Sequence, residues 1–242
     1  RPDIVRHIRE LSDTQNSFLV GGLTMPESRR INDRSVADWA TTGVAFTEKV
    51  AVQTGVTQGC TPIGPVHIIT ECENNIIFTV DDRPALEVFK DEIGEILANQ
   101  IDQAAGYIFA AIPVTGSDTG DYLVRNILGV DLRNQHLSME VSFERGDQLM
   151  FCRRDQVTAQ KDLANMVENV AKRLSGPPLG ALYFSCVARG PNLFGANSEE
   201  IKIIQSSLNC GGNGLPLVGF FANGEISHNR LYTYTGVLTV FS

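Results

Sequence analysis

This 242-residue chain has no basic run, no long apolar stretch and no paired-cysteine motif, and each absence removes a class of function. The densest basic pairs are Arg29-Arg30 and Arg153-Arg154, set in a formal net charge of −8. Phosphate backbones and anionic bilayers are gripped by clustered Lys and Arg, so neither nucleic acid nor membrane is expected as a partner. No apolar run approaches the roughly 20 residues a helix needs to cross a bilayer. The opening Arg1-Pro2-Asp3-Ile4-Val5-Arg6-His7 holds no apolar stretch of secretory-signal type,. It also lacks an initiator methionine, so a chain that begins inside a longer, cytoplasmic protein is expected.

Five cysteines are present: Cys60, Cys72, Cys152, Cys186 and Cys210. The number is odd and no two form a C-x-x-C, which argues against a disulfide framework or a zinc knuckle and for reduced thiols. The four histidines, His7, His67, His136 and His228, lie in no recognisable catalytic motif. Gly211-Gly212-Asn213-Gly214 lacks the Lys-Ser/Thr of a phosphate loop and follows a helix pattern, so it reads as a turn,. No metal or cofactor is expected. Asp81-Asp82-Arg83 before Pro84 reads as a helix cap facing water, in preference to a metal pair,.

What is there is an ordinary globular composition, 43% apolar and 20% charged, enough for one large domain or two small ones,. Ile4, Val5, Ile8 and Leu11 recur at helical spacing, and Phe18 to Leu23 reads as a buried strand,. Met25 to Asp38 is polar and reads as a surface loop. Val44–Phe46 and Val50–Val52 alternate around a Thr47-Glu48-Lys49 turn, predicting a hairpin; Val66–Thr70 and Ile76–Val80 predict a second one across Asn74-Asn75,. Pro84 suits the first position of a helix carrying Leu86, Phe89, Ile93 and Ile96 on one face,.

Tyr107–Val114 is a short strand leading to a loop marked by Gly116 and Gly120, and Leu123–Phe143 holds strands interrupted near Asp131–His136,. Another strand covers Gln148–Arg153. A helix from about Thr158 to Leu174 buries Leu163, Val167, Val170 and Leu174 and stops at Gly176-Pro177-Pro178,. Gly180–Val187 and Pro216–Ala222 are nearly all apolar, the pattern of strands buried on both faces. Between them Ser198 can cap a helix with Glu199 and Glu200 in its first turn and Ile201, Ile204 and Leu208 inward,. Leu231–Phe241 alternates as a final strand.

Several segments together resemble the FIST family. Ala181 to Gly190, ending Cys186-Val187-Ala188-Arg189-Gly190, is similar to the C-x-x-R-G strand of the FIST C-terminal domain. Gly219-Phe220-Phe221-Ala222-Asn223-Gly224-Glu225-Ile226 resembles its G-F-F-x-N-G-E-I segment, and Tyr234 to Leu238 its closing strand. Gln58-Gly59-Cys60-Thr61-Pro62-Ile63-Gly64 resembles the Q-G-C-x-P-x-G link that follows the FIST N-terminal domain, and Phe18 to Gly22 that domain's late G-G strand. Ser227-His228 stands where the family often has Gly-Pro. The resemblance implies a sensory module that binds a small ligand, such as an amino acid. It also implies a partner in signalling or, in the F-box-associated form, a ubiquitin ligase.

The residues themselves place Cys186 to Gly190 and Asn223 to Glu225 at two strand ends that open onto glycine loops, a natural pocket. Arg189 could clamp a carboxylate and Glu225 accept from an ammonium, with Cys186, Gly190, Asn223, Gly224 and Cys60 lining the site. The competing reading pairs Arg189 with Glu225 as a structural lock. No catalytic residue is assigned. The alternatives to ligand sensing are a cysteine-dependent hydrolase or transferase and a protein-interaction scaffold. The expected fold is α+β, with mixed, largely antiparallel sheets and outer helices in two lobes. Residues 1–80 correspond to the end of the FIST N-like domain and 81–242 to the FIST C-like domain.

Overall fold

The computed structural model describes residues 3–24, 30–31, 34–35, 41–98, 101–104, 106–114, 121–208 and 214–242. Helix α1 (Ile4–Gln15) starts at Asp3, whose side chain accepts the Arg6 amide, and ends at Asn16 in the left-handed conformation,. It is followed by β1 (Val20–Gly22), β2 (Arg30–Ile31), β3 (Arg34–Ser35), β4 (Val52–Gln58) and the long β5 (Cys60–Glu73). The chain continues through β6 (Ile76–Val80), β7 (Arg83–Pro84), α2 (Ala85–Ala98), α3 (Ile101–Ala104) and β8 (Ile108–Pro113). Next come β9 (Tyr122–Arg125), β10 (Ile127–Asp131), β11 (His136–Met139) and β12 (Gln148–Arg154). The last part is α4 (Gln156–Lys172), β13 (Gly180–Cys186), α5 (Pro191–Phe194), α6 (Glu199–Leu208), β14 (Leu217–Ala222), β15 (Glu225–Ser227), β16 (Arg230–Tyr232) and β17 (Thr235–Phe241). The α+β class is as the sequence predicted.

Two compact units divide the chain: Arg1–Gly59 with Ala159–Ser242, and Cys60–Thr158. The second is an antiparallel sheet of order β10-β11-β6-β5-β12-β8-β9, with β7 on β6. Its core joins Leu86, Val88 and Phe89 of α2 to Ile69, Ile77, Leu137, Leu149 and Phe151 of the strands. The β5–β6 hairpin turns at Asn74-Asn75 as predicted, with Asn74 in the left-handed region. Asp81 and Asp82 do not cap α2. Both have positive φ and form the tight β6–β7 turn, while the Asp81 carboxylate takes His67 Nδ1 at 2.7 Å and the Ile68 amide at 2.8 Å. Short polar side chains tolerate that conformation best after glycine.

The first unit holds a three-stranded sheet, β1-β15-β16, and a four-stranded sheet of order β14-β13-β17-β4. β13 and β14 run parallel, and the other neighbours are antiparallel. One face of the larger sheet is covered by α4 and α6, through Leu163, Met166, Val167, Val170, Ile204 and Leu208 against Ala181, Tyr183, Leu238 and Val240. Gly55 lets α4 lie close: a Cβ there would stand 2.5 Å from Met166 Sδ and 2.7 Å from Val170 Cγ2.

Five strand expectations need correction. Val44–Phe46 and Val50–Val52 form no hairpin, because β4 begins at Val52 and takes β17 as its partner, leaving residues 41–47 outside any ladder. β13 buries alternate residues, one face only. β14 is an edge strand, with Val218, Gly219, Phe220 and Phe221 exposed. A continuous apolar run is read as two-sided burial, yet a place at the sheet edge is decided by topology alone. β1 is also shorter and less buried than Phe18 to Leu23 suggested. The final strand is broken at Thr233-Tyr234, where Tyr234 has φ 63°. The Gly116/Gly120 loop, the Gly211-Gly212-Asn213 turn and most of the Met25–Asp38 loop lie outside the described residues.

Candidate functional site

Because β13, β14 and β4 all end where β17 begins, their termini gather at one end of the four-stranded sheet. Irregular backbone collects there: Gly190, Gly224 and Tyr234 have positive φ, as do Asn197 and Ser198 ahead of α6. Such strain concentrates at sites whose shape the surroundings enforce. Alternation along β13 sends Tyr183 and Ser185 to the helix-covered face, and the strand delivers Cys186 and then Arg189 at its end.

Arg189 is 1% exposed and forms an ion pair with Glu200, Nε to Oε1 at 2.9 Å. Its other nitrogens reach the Thr57 carbonyl and the Tyr183 hydroxyl, and its guanidinium lies 4.9 Å over the Phe194 ring. Glu200 also accepts from the Tyr183 hydroxyl at 2.7 Å, from Ser185 Oγ with both oxygens and from the Gly190 amide at 3.0 Å. Burial favours the neutral guanidine, but Tyr183 and Glu200 more than offset it, and the pKa of Arg189 is raised. A buried ion pair holds only when its remaining donors and acceptors are met, and these are. Arg189 is therefore bonded to Glu200, the second residue of α6, and not to Glu225.

Glu225 is fully buried. Its Oε2 accepts from the Thr235 amide at 3.2 Å and from Thr235 Oγ1 at 2.8 Å. Its Oε1 meets no hydrogen-bond donor among the described residues. Burial pushes the carboxyl up to about 7, against the opposing pull of Thr235, Arg189 and the Gly224 amide. Cys186, also buried, is pushed up by burial and by Glu225. A nucleophilic thiol needs the reverse, a field that favours thiolate.

The sequence-predicted residues Cys186, Arg189, Gly190, Asn223, Gly224 and Glu225 all belong to these converging ends; of them Asn223 is exposed. Gly190 is a packing position, since a Cβ there would stand 2.6 Å from the Phe221 ring. Cys60 falls in the other unit, where a hydrogen bond between its thiol and that of Cys152, together with burial, raises the pKa of Cys152. The four described cysteines are all free thiols. Sequence reasoning missed Glu200, Tyr183, Ser185 and Asp162, the last accepting from Thr57 Oγ1 and the Gln58 amide at 2.7 Å each. The available signal was Tyr183 and Ser185 alternating within an apolar strand, and two acids opening α6 of which one has to face inward.

Residues 2–83 match the FIST N domain and residues 85–228 the FIST C domain. The chain belongs to the FIST family. FIST domains are regarded as sensory domains of signal transduction. Two uncharacterized proteins of Mycobacterium tuberculosis are each 30% identical to this FIST chain over 251 residues, covering 98% of it and 64% of their own length. An uncharacterized Mycobacterium bovis protein is 30% identical over 229 residues, covering 91% of the chain and 58% of itself. The chain thus spans less than two thirds of the relatives it matches. Among the described residues no helix is long and apolar enough to cross a membrane, and no group of three or more His, Cys, Asp or Glu could hold a metal.

Proposed function

We propose that this FIST chain is a sensory module that binds a small polar molecule of amino-acid type at the converging strand ends, without chemistry on it. The observation that carries the reading is Glu225 Oε1, a buried carboxylate oxygen without a donor among the described residues. A buried polar atom left unpaired costs about 1–3 kcal/mol, which a ligand supplying the donor recovers. Arg189, held by Glu200, braces the wall of the site, and Asn223 with Gly224 forms its rim. Binding there would be passed to a signalling partner, or to a ubiquitin ligase in an F-box-associated setting. The free thiols support a cytoplasmic location.

Differential scanning fluorimetry against the twenty amino acids tests this on the wild type and Glu225→Gln. One or more should raise Tm of the wild type by a few degrees, since a ligand at 100 times its Kd adds about 2.7 kcal/mol. Glu225→Gln should lose that shift while keeping its circular dichroism. An undiminished shift in the folded variant sinks the assignment of the site; no shift with any of the twenty sinks the amino-acid reading.

A further inference from the structure

Residues 203–224 carry no charged side chain, in a chain of net charge −8. Within them β14 forms the edge of its sheet. Exposed edges are usually blunted by a charge, a proline or a bulge, because their unpaired backbone groups template another strand. Between Leu217 and Ala222 β14 has no charge and no proline, and its register with β13 is unbroken. The Pro216 and Ala222 carbonyls accept from the Ala181 and Val187 amides, so even-numbered residues turn their backbone groups to β13. Leu217, Gly219 and Phe221 turn theirs to the free edge, as alternate residues of a parallel strand must. Pro216 has no N–H, and Asn223 and Gly224 already bond Leu23, so the free run is Leu217–Phe221,. Val218, 65% exposed, and Phe220, 40% exposed, stand on the face turned away from α4 and α6. Beside Val218 on that face, Leu182, Pro216 and Phe241 line an open apolar groove of about 420 Å³.

We infer that β14 pairs antiparallel with β14 of a second copy of this chain, about a two-fold axis at Gly219, joining the two four-stranded sheets into one. The free run itself selects a second copy. It is symmetric about Gly219, so an antiparallel copy sets Leu217 opposite Phe221 and Gly219 opposite Gly219, and each outward amide meets an outward carbonyl. The same register sets Phe220 of one copy opposite Val218 of the other, with its ring on the face where the groove lies. An aromatic residue against a β-branched one is a favourable cross-strand pair, and ring and groove meet twice by symmetry. On the opposite face Phe221, 53% exposed, comes opposite Leu217, which already packs on the core under α4 and α6. Two chains of the same net charge repel over most of their surfaces, and an uncharged edge is where they can meet,.

The test is sedimentation velocity of the whole chain over a dilution series from micromolar to submillimolar. The wild type should pass from one chain mass to twice that mass as concentration rises, and no further. Val218→Lys, at an exposed position, should keep its circular dichroism and urea midpoint while weakening the dimer at least about tenfold, since each lysine is pressed against the apolar ring of the partner's Phe220. The double variant Val218→Lys/Phe220→Glu should dimerise more tightly than Val218→Lys alone, because only the antiparallel register sets each introduced lysine opposite an introduced glutamate. Amide hydrogen exchange of the unsubstituted chain supplies an independent reading. The Leu217, Gly219 and Phe221 amides should gain protection with concentration, while Val218 and Phe220, bonded within the sheet, should not change. A monomer at every concentration overturns the inference and leaves the edge to a strand from another protein. A dimer that Val218→Lys leaves intact, odd-numbered amides indifferent to concentration, or growth past the dimer overturns it as well.

Discussion

Breaking the Arg189–Glu200 pair from one side should be far more damaging than removing it from both. In Arg189→Met the carboxylate of Glu200 stays buried at 5% side-chain exposure, still accepting from Tyr183, Ser185 and Gly190 but without a counter-charge. An uncompensated buried charge of this kind costs about 3–5 kcal/mol. Glu200→Gln strands the guanidinium instead. The Phe194 ring at 4.9 Å offsets about 2 kcal/mol of that at best, so a similar loss is expected,. The double variant Arg189→Met/Glu200→Gln buries no charge, and its cost should fall short of the sum of the singles by up to about 3 kcal/mol, the range for residues in contact. Urea denaturation followed by circular dichroism, with the m-value checked for constancy, measures all three. Single losses below about 1 kcal/mol, or additivity within about 0.5 kcal/mol, would refute the description of this pair as buried and mutually compensating.

Three further outcomes follow from the same geometry. The folded Glu225 carboxyl sits at about 7, above its ordinary 4.5, so its contribution to stability is complete below about pH 4.5 and is lost as pH rises through 7. In that window the wild type should lose about 1.4 kcal/mol per pH unit relative to Glu225→Gln, read as urea midpoints against pH; parallel profiles would contradict the raised value. Gly55→Ala should destabilise by about 1–3 kcal/mol through Met166 and Val170, and Met166→Ala in the same chain should recover part of it; a neutral Gly55→Ala would show that α4 stands further off,. In native-state alkylation Cys72, the described thiol that is not buried, should react before Cys60, Cys152 and Cys186,. Fastest labelling at Cys186 would instead revive the cysteine-enzyme alternative.

Local pattern settled much of this protein before any tertiary contact was known. The 3-to-4 spacing in Ile4–Gln15 and Gln156–Lys172, the Asn74-Asn75 turn, and the stop at Gly176-Pro177-Pro178 each have a local physical cause, and each is where the pattern put it. Segment order carried the family, and with it the strand ends where Arg189 and Glu225 stand. What local pattern could not carry was partnership. An apolar strand such as Leu217–Ala222 has the same composition at a sheet's edge as at its centre, and only the count of neighbouring strands makes it exposed. Glu200 likewise satisfies the rule for acids at a helix start, so nothing local distinguishes it from Glu199, which pairs with Lys202 at the surface. Its role as the partner of Arg189 exists only because α6 lies across the end of β13. The Arg189–Glu225 question was therefore legible as a question, and it took long-range packing to place each charge: Arg189 on Glu200, Glu225 on Thr235 with one oxygen left over.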